Sequence, residues 1–405
     1  MARNRKSDPT HHKVSRLLLW SALLVLVAVV AGGYYYFFVT NNSPSSQQNH
    51  HQNTSNKPGV SAANRQLACA DTLPTDLKLG QKLMISATAS TLSSASRLAA
   101  KYHLGGVILM DQATAPAVRT FVAAQSLPPL VATDQEGGTV QRYTTEGALP
   151  SEQSVVSSMT PAQAEAMIAT DDKFLASQGI NMNLAPVVDV APLTGSSVLG
   201  SRIFSDDPQV VSEYSAAYVN AGLHTGVLPT IKHFPGLGAA SGNTDYGPAT
   251  TPSFAKLQAR DIVPYEQLSG SKAAVMVGNQ TVPGLTAGLP ASLSYAAITT
   301  ELRSKLGYQN NLVITDSLTA KAITDNYSLA AAATKSWEAG SDIALIVQTN
   351  PATVITSQQI EQIVNTAQTA INEGQLSTAE INKSALRIFD LSQKRIDACQ
   401  IPKAS

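Results

Sequence analysis

From Leu73 onward, short apolar runs of β-type residues alternate with longer segments in which apolar side chains recur at helical spacing. A short apolar run bounded by turn residues predicts a buried strand, and alternation with helices predicts a parallel sheet with crossover connections. The runs fall at 80–87, 105–110, 129–134, 181–190, 228–234, 273–279, 311–316 and 342–347. Between them, 161–179 and 207–226 read as helices, each ending on a glycine, which accepts the left-handed conformation of a helix C-terminus. Eight strand–helix units suffice to close a ring. The expected fold class is therefore α/β, a TIM (β/α)8 barrel built as one domain from residues 69–405. An open doubly wound sheet is the alternative.

The pattern before Leu73 is different. Residues 17–40, LLLWSALLVLVAVVAGGYYYFFVT, form an unbroken apolar run. At about 1.5 Å rise per residue it is long enough to cross the roughly 30 Å hydrocarbon core, so a transmembrane helix is expected. Trp20 near one end and Tyr34, Tyr35 and Tyr36 near the other suit the two headgroup levels. Residues 1–16 carry Arg3, Arg5, Lys6, Lys13 and Arg16 against Asp8 alone, a basic tail expected to stay cytoplasmic. That orientation places the remainder outside the cell membrane. A cleaved signal peptide is the competing expectation, against which stand the length of the run and the lack of a small-residue cleavage site. A lipid anchor on Cys69 is not expected, because Gln66 interrupts the apolar positions such a signal needs. Residues 41–68 are rich in Asn, Gln and Ser and bury too little to offset chain entropy, so they read as a flexible tether.

Composition changes this picture little. The formal net charge is zero and the basic cluster lies in the tail, so no nucleic-acid partner is indicated. The two cysteines, Cys69 and Cys399, bracket the folded region in an oxidising compartment, and a disulfide between them is expected. His11 and His12 fall in the tail and His50 and His51 in the tether, and no metal-ligand spacing occurs in the barrel region. Gly236-Leu-Gly238 lacks the dinucleotide pattern, so neither a metal nor a cofactor is expected.

A barrel carries its chemistry at the C-terminal ends of its strands, and there the sequence is rich in polar groups. Asp134, Glu136 and Arg142 follow the third run, Asp189 and Arg202 the fourth, Lys232 and His233 lie in the fifth, Asn279 follows the sixth and Asp316 closes the seventh. Structural ion pairs account for any one of these, but core packing does not explain charges at so many strand ends. Two acids sharing one mouth are what glycoside hydrolysis needs, one to attack or stabilise the anomeric carbon and one to protonate the leaving oxygen. Arg142, Arg202 and Lys232 are then donors to sugar hydroxyls.

The segments DQEGGTVQR at 134–142, NLAPVVDV at 183–190, VLGSRIFSDDP at 198–208, KHFPGLG at 232–238, LPASLS at 289–294 and LVITDSL at 312–318 together resemble glycoside hydrolase family 3. The likeness is to its single-domain β-N-acetylglucosaminidase branch and covers roughly residues 74 to 395. The resemblance implies a TIM barrel that hydrolyses with retention through a glycosyl-enzyme intermediate. It makes Asp316 the nucleophile and assigns Asp134, Arg142, Arg202, Lys232 and His233 to the grip on the non-reducing sugar. Asp189 becomes a supporting residue, and Glu136 is expected to orient the Gly137-Gly138 turn. An amino-sugar glycan of the cell wall or the surroundings is the expected substrate, and another β-linked sugar the alternative.

The stretch IKHFPGLGAASGNTDYG at 231–247 departs from the family pattern. The branch usually reads Lys-His-Phe-Pro-Gly-His-Gly and, four residues later, Asp-Ser/Thr-His, whose histidine is the acid/base paired with the aspartate. Here Leu237 replaces the second histidine of that heptapeptide, and Asn243-Thr244-Asp245 stands in register with the triplet. Three readings remain open. Asp245 is the acid/base, with burial or the Asp316 charge raising its pKa and Asn243 as hydrogen-bonding neighbour. Or the barrel binds glycan without useful turnover. Or Tyr246 or another residue supplies the proton. A carboxylate at 245 would repel an anionic acceptor, so hydrolysis is expected over phosphorolysis.

Overall fold

Each apolar run folds as a strand, and the registers explain why both of its faces are apolar. The computed structural model describes residues 70–144, 147–192 and 197–391. The expected tail, membrane helix and tether, together with Cys69 and Cys399, lie outside those residues. Among the described residues no helix is long and apolar enough to cross a membrane.

The strands are β1 Leu83–Ala87, β2 Gly106–Leu109, β3 Leu130–Thr133, β4 Met182–Asn183, β5 Leu228–Phe234, β6 Ala274–Val277, β7 Val313–Thr315 and β8 Ala344–Ile346. They pair in parallel in sequence order, with β8 also beside β1. A parallel bridge between Ile314 and Ile343 joins the two ends and closes the ring. Met84, Ile108, Ala132, Met182, Met276 and Ile314 share a cluster that fills the interior. Ile85, Val107 and Val131, one position along from their neighbours, pack instead in a cluster with the helix residues Ala95, Phe121 and Leu175. Period-two alternation thus divides each strand between interior and outer layer, and parallel strands buried on both faces read as continuous apolar runs.

The fourth run is shorter as a strand than the sequence suggests. Pro186 has no amide proton for a ladder, and beyond Asn183 the chain leaves regular geometry while still bonding to β5: Thr230 N donates to Ala185 O at 2.9 Å and Val188 N to Lys232 O at 2.7 Å.

The two expected helices appear as Pro161–Ser177 and Pro208–Thr225. Thr160 and Gln163 form a capping box on the first. The second begins with Asp207 accepting from Gln209 N at 2.9 Å and ends at Gly226 with φ 81°. At the N-terminal end of β8, Asp342 is clamped by Arg303 at 2.8 Å and Arg387 at 2.9 Å, a structural ion-pair network away from the strand C-termini.

Candidate active site

Past β3 the chain makes a short hairpin, Gln135–Gly137 with Val140–Gln141, that folds back over the barrel mouth. Gly137 and Gly138 turn it with φ of 98° and 57°, values a side chain rarely adopts. The hairpin carries Asp134, Glu136 and Arg142 into a cavity of about 520 Å³ at the C-terminal ends of the strands. Arg202 enters from the short turn Gly200–Arg202 and Asp316 from the end of β7. The register of β5 against β6 shifts between Ile231 and Phe234. Strict alternation is broken there, and the consecutive residues Lys232 and His233 both line the cavity.

Burial and charge organise one wall. Lys232 Nζ lies 3.1 Å from Asp134 and 2.5 Å from Glu136. Arg202 holds Glu136 with two bonds, Nε at 2.6 Å and Nη2 at 2.9 Å, and Arg142 Nη2 stands 3.5 Å from Asp134. Burial is the largest single influence and would raise both carboxyls, but the charges of Lys232 and Arg142 at Asp134, and of Lys232 and Arg202 at Glu136, together outweigh it, and both sit below their ordinary range. Lys232 is likewise desolvated, yet the paired charges of Glu136 and Asp134 raise its pKa. The wall is therefore fully ionised at neutral pH, with fixed donors and acceptors suited to sugar hydroxyls.

The role expected of Glu136 needs correction. Its carboxylate faces Arg202 and Lys232 rather than its own glycine turn. At 1% exposure it is the central counter-charge that makes burial of both cations tolerable.

His233 is held from behind. Its Nδ1 lies 2.7 Å from Asp189 Oδ2, which also accepts from the His233 amide at 3.1 Å, while Asp189 Oδ1 accepts from Leu237 N at 2.5 Å. Asp189 is fully buried, outside the cavity lining. Asn279 is also not a cavity residue: it donates to Ser317 O at 2.8 Å and accepts from Ser292 Oγ at 2.6 Å, fixing the turn after Asp316.

Another part of the lining comes from the loop segment 243–246. The Asp245 amide donates to Asn243 Oδ1 at 2.8 Å, and Ala322 N to Thr244 O at 3.0 Å, tying the loop to the segment after β7. Asp245 lies at the open mouth, yet desolvation by the cavity walls and then the Asp316 charge raise its carboxyl above the ordinary value, against the opposing pull of His233 and Arg202.

The structure thus brings Asp134, Glu136, Arg142, Arg202, Lys232, His233, Asn243, Asp245 and Asp316 to one cavity. Sequence reasoning missed Met110, Val347, Gln348 and Thr349, which line it just beyond β2 and β8. The rule that strand C-termini carry the site points to them, but uncharged residues give no further signal. It also missed Glu152. This side chain is buried behind Glu136 and accepts from Val187 N at 2.9 Å. Desolvation and then the Glu136 charge push its carboxyl well above the ordinary range.

A model of the glycosyl hydrolase family 3 N-terminal domain matches residues 74–391. Beta-hexosaminidase LpqI of Mycobacterium tuberculosis is 33% identical over 324 residues, which cover 77% of this chain and 81% of that protein. Among solved structures, a glycosyl hydrolase family 3 member from Mycobacterium smegmatis superposes with TM-score 0.73 at 34% identity, covering 80% of this chain and 98% of its own. A beta-N-acetylhexosaminidase from Beutenbergia cavernae gives 0.71 at 27% identity, covering 79% and 98%.

Proposed function

Since this chain belongs to glycosyl hydrolase family 3, we propose that it is a retaining β-N-acetylhexosaminidase acting on non-reducing terminal N-acetylhexosamine, N-acetylglucosamine foremost. The observation that carries this reading is the convergence of Asp134, Arg142, Arg202, Lys232, His233, Asp245 and Asp316, separate in sequence, on one cavity.

In the first step an Asp316 carboxylate oxygen bonds the anomeric carbon as the glycosidic carbon–oxygen bond breaks. Asp245 passes its proton to the leaving oxygen. Water then attacks the same carbon, Asp316 leaves, and Asp245 recovers a proton from that water. The raised Asp245 carboxyl suits a donor protonated nearer to working pH, and its location beside Asp316 suits action on the bond that Asp316 breaks. The ionised wall around Lys232 holds the glycone, and Asp189 fixes His233 against it. Asp245 in the mouth also disfavours a phosphate acceptor, so water is the acceptor.

The apolar run 17–40 after a basic tail supports a membrane-anchored enzyme with the barrel outside the cell, which makes cell-wall glycan the expected substrate. A second reading, a glycan-binding module with weak turnover, draws on the replacement of the usual histidine by Asp245 and of its partner by Asn243. Assay of the full chain on an aryl β-N-acetylglucosaminide separates the two. Hydrolysis with net retention that Asp316→Ala abolishes supports the enzyme, and equal activity of the two proteins ends that reading.

A further inference from the structure

Tyr246 has no place in the grip described above. It is 79% exposed, follows Asp245 directly and lines the same cavity. Among the described residues the other large apolar side chains left open to solvent are Val122, Leu223 and Tyr295, and none of them reaches that cavity. Its backbone is fixed rather than loose: Tyr246 N donates to Asn243 O at 3.1 Å, and Lys321 N to Asp245 O at 3.3 Å.

Position gives this ring a use. The proton donor must reach the glycosidic oxygen, so Tyr246, its neighbour in the cavity lining, borders the space the leaving group takes. A tyrosine there presents an apolar face to a ring and a hydroxyl to water. The apolar C–H face of a pyranose is the complementary surface. Building on the glycosidase reading, we propose that Tyr246 is the platform for the aglycone sugar and selects substrates whose leaving group is itself a pyranose.

The test compares the full chain with Tyr246→Ala and Tyr246→Phe on two glycosides that share the N-acetylglucosamine glycone: N,N′-diacetylchitobiose, whose aglycone is a sugar, and methyl β-N-acetylglucosaminide, whose aglycone is not. Loss of an aromatic packing partner should lower kcat/KM on the disaccharide by about three- to tenfold more than on the methyl glycoside, mainly through KM, and Tyr246→Phe should restore most of it. Equal losses on both glycosides would overturn the proposal. So would a Phe variant as impaired as the Ala variant, which would make the hydroxyl the working group. Should the wild type hydrolyse neither glycoside, the hydrolase reading fails and calorimetric binding decides this one. Tyr246→Ala must then weaken the disaccharide more than N-acetylglucosamine, and equal affinities would end it.

Discussion

The backbone amide of Asp245 donates to the side-chain oxygen of Asn243 at 2.8 Å. Asn243 therefore uses its acceptor to shape the loop that aims the carboxyl, where a carboxylate in a His–Asp pair would hold an imidazole. Asn243→Asp keeps an acceptor for that bond and adds a negative charge beside a carboxyl already raised by burial and Asp316. A general acid works in its protonated form, and a raised pKa extends that form upward. The alkaline limb of the kcat/KM profile should accordingly move to higher pH in Asn243→Asp.

Removing the proposed proton donor should discriminate between leaving groups. Asp245→Ala is expected to lose about 10²- to 10⁴-fold on a disaccharide, which needs protonation, and much less on an aryl glycoside with an acidic phenol. Azide should partly rescue the aryl substrate by entering where Asp245 stood and yielding a β-glycosyl azide, detectable by mass spectrometry. Uniform loss across leaving groups would point to another donor.

Glu136 links the binding wall to stability. Glu136→Gln leaves Lys232 and Arg202 buried without their shared counter-charge, and a cost of about 3–5 kcal/mol is expected. The sign with pH follows from the depressed Glu136 carboxyl: its contribution is complete above the ordinary value of 4.5 and lost as pH falls through the lower folded value. Acid unfolding followed by circular dichroism should show the gap between wild type and variant narrowing as pH falls below 4.5.

The helix Pro161–Ser177 makes the opposite case. Asp172 is buried and pushed up to about 8, by desolvation and then by Asp171, which burial itself raises to about 6. Raised acids stabilise the fold fully below the unfolded value of 3.8, and the contribution is lost as pH rises through the folded values. Asp172→Asn, neutral throughout, should match the wild type near pH 4 and melt at a higher temperature than it near pH 9. A Tm difference independent of pH would refute this assignment.

Much of this molecule is legible along the chain, for reasons that are local. Eight apolar runs announce strands because parallel strands buried on both faces must be apolar throughout, and Gly226 ends its helix where a left-handed residue is required. Asp134, Arg142, Lys232, His233 and Asp316 stand out because charges at strand ends have no use in a core. What only the tertiary structure decides is which charges meet. Glu136 gives no sequence sign of being the counter-ion of Lys232 and Arg202, since those partners lie on other strands and loops brought together by ring closure. Glu152 is recognisable only once burial and the nearby Glu136 charge have raised its carboxyl well above the ordinary range. The sequence shows Asp245 two positions after Asn243, where the family resemblance leads one to expect a histidine. The elevation of its carboxyl depends on Asp316, 71 positions away in the chain and adjacent only because the barrel mouth gathers both.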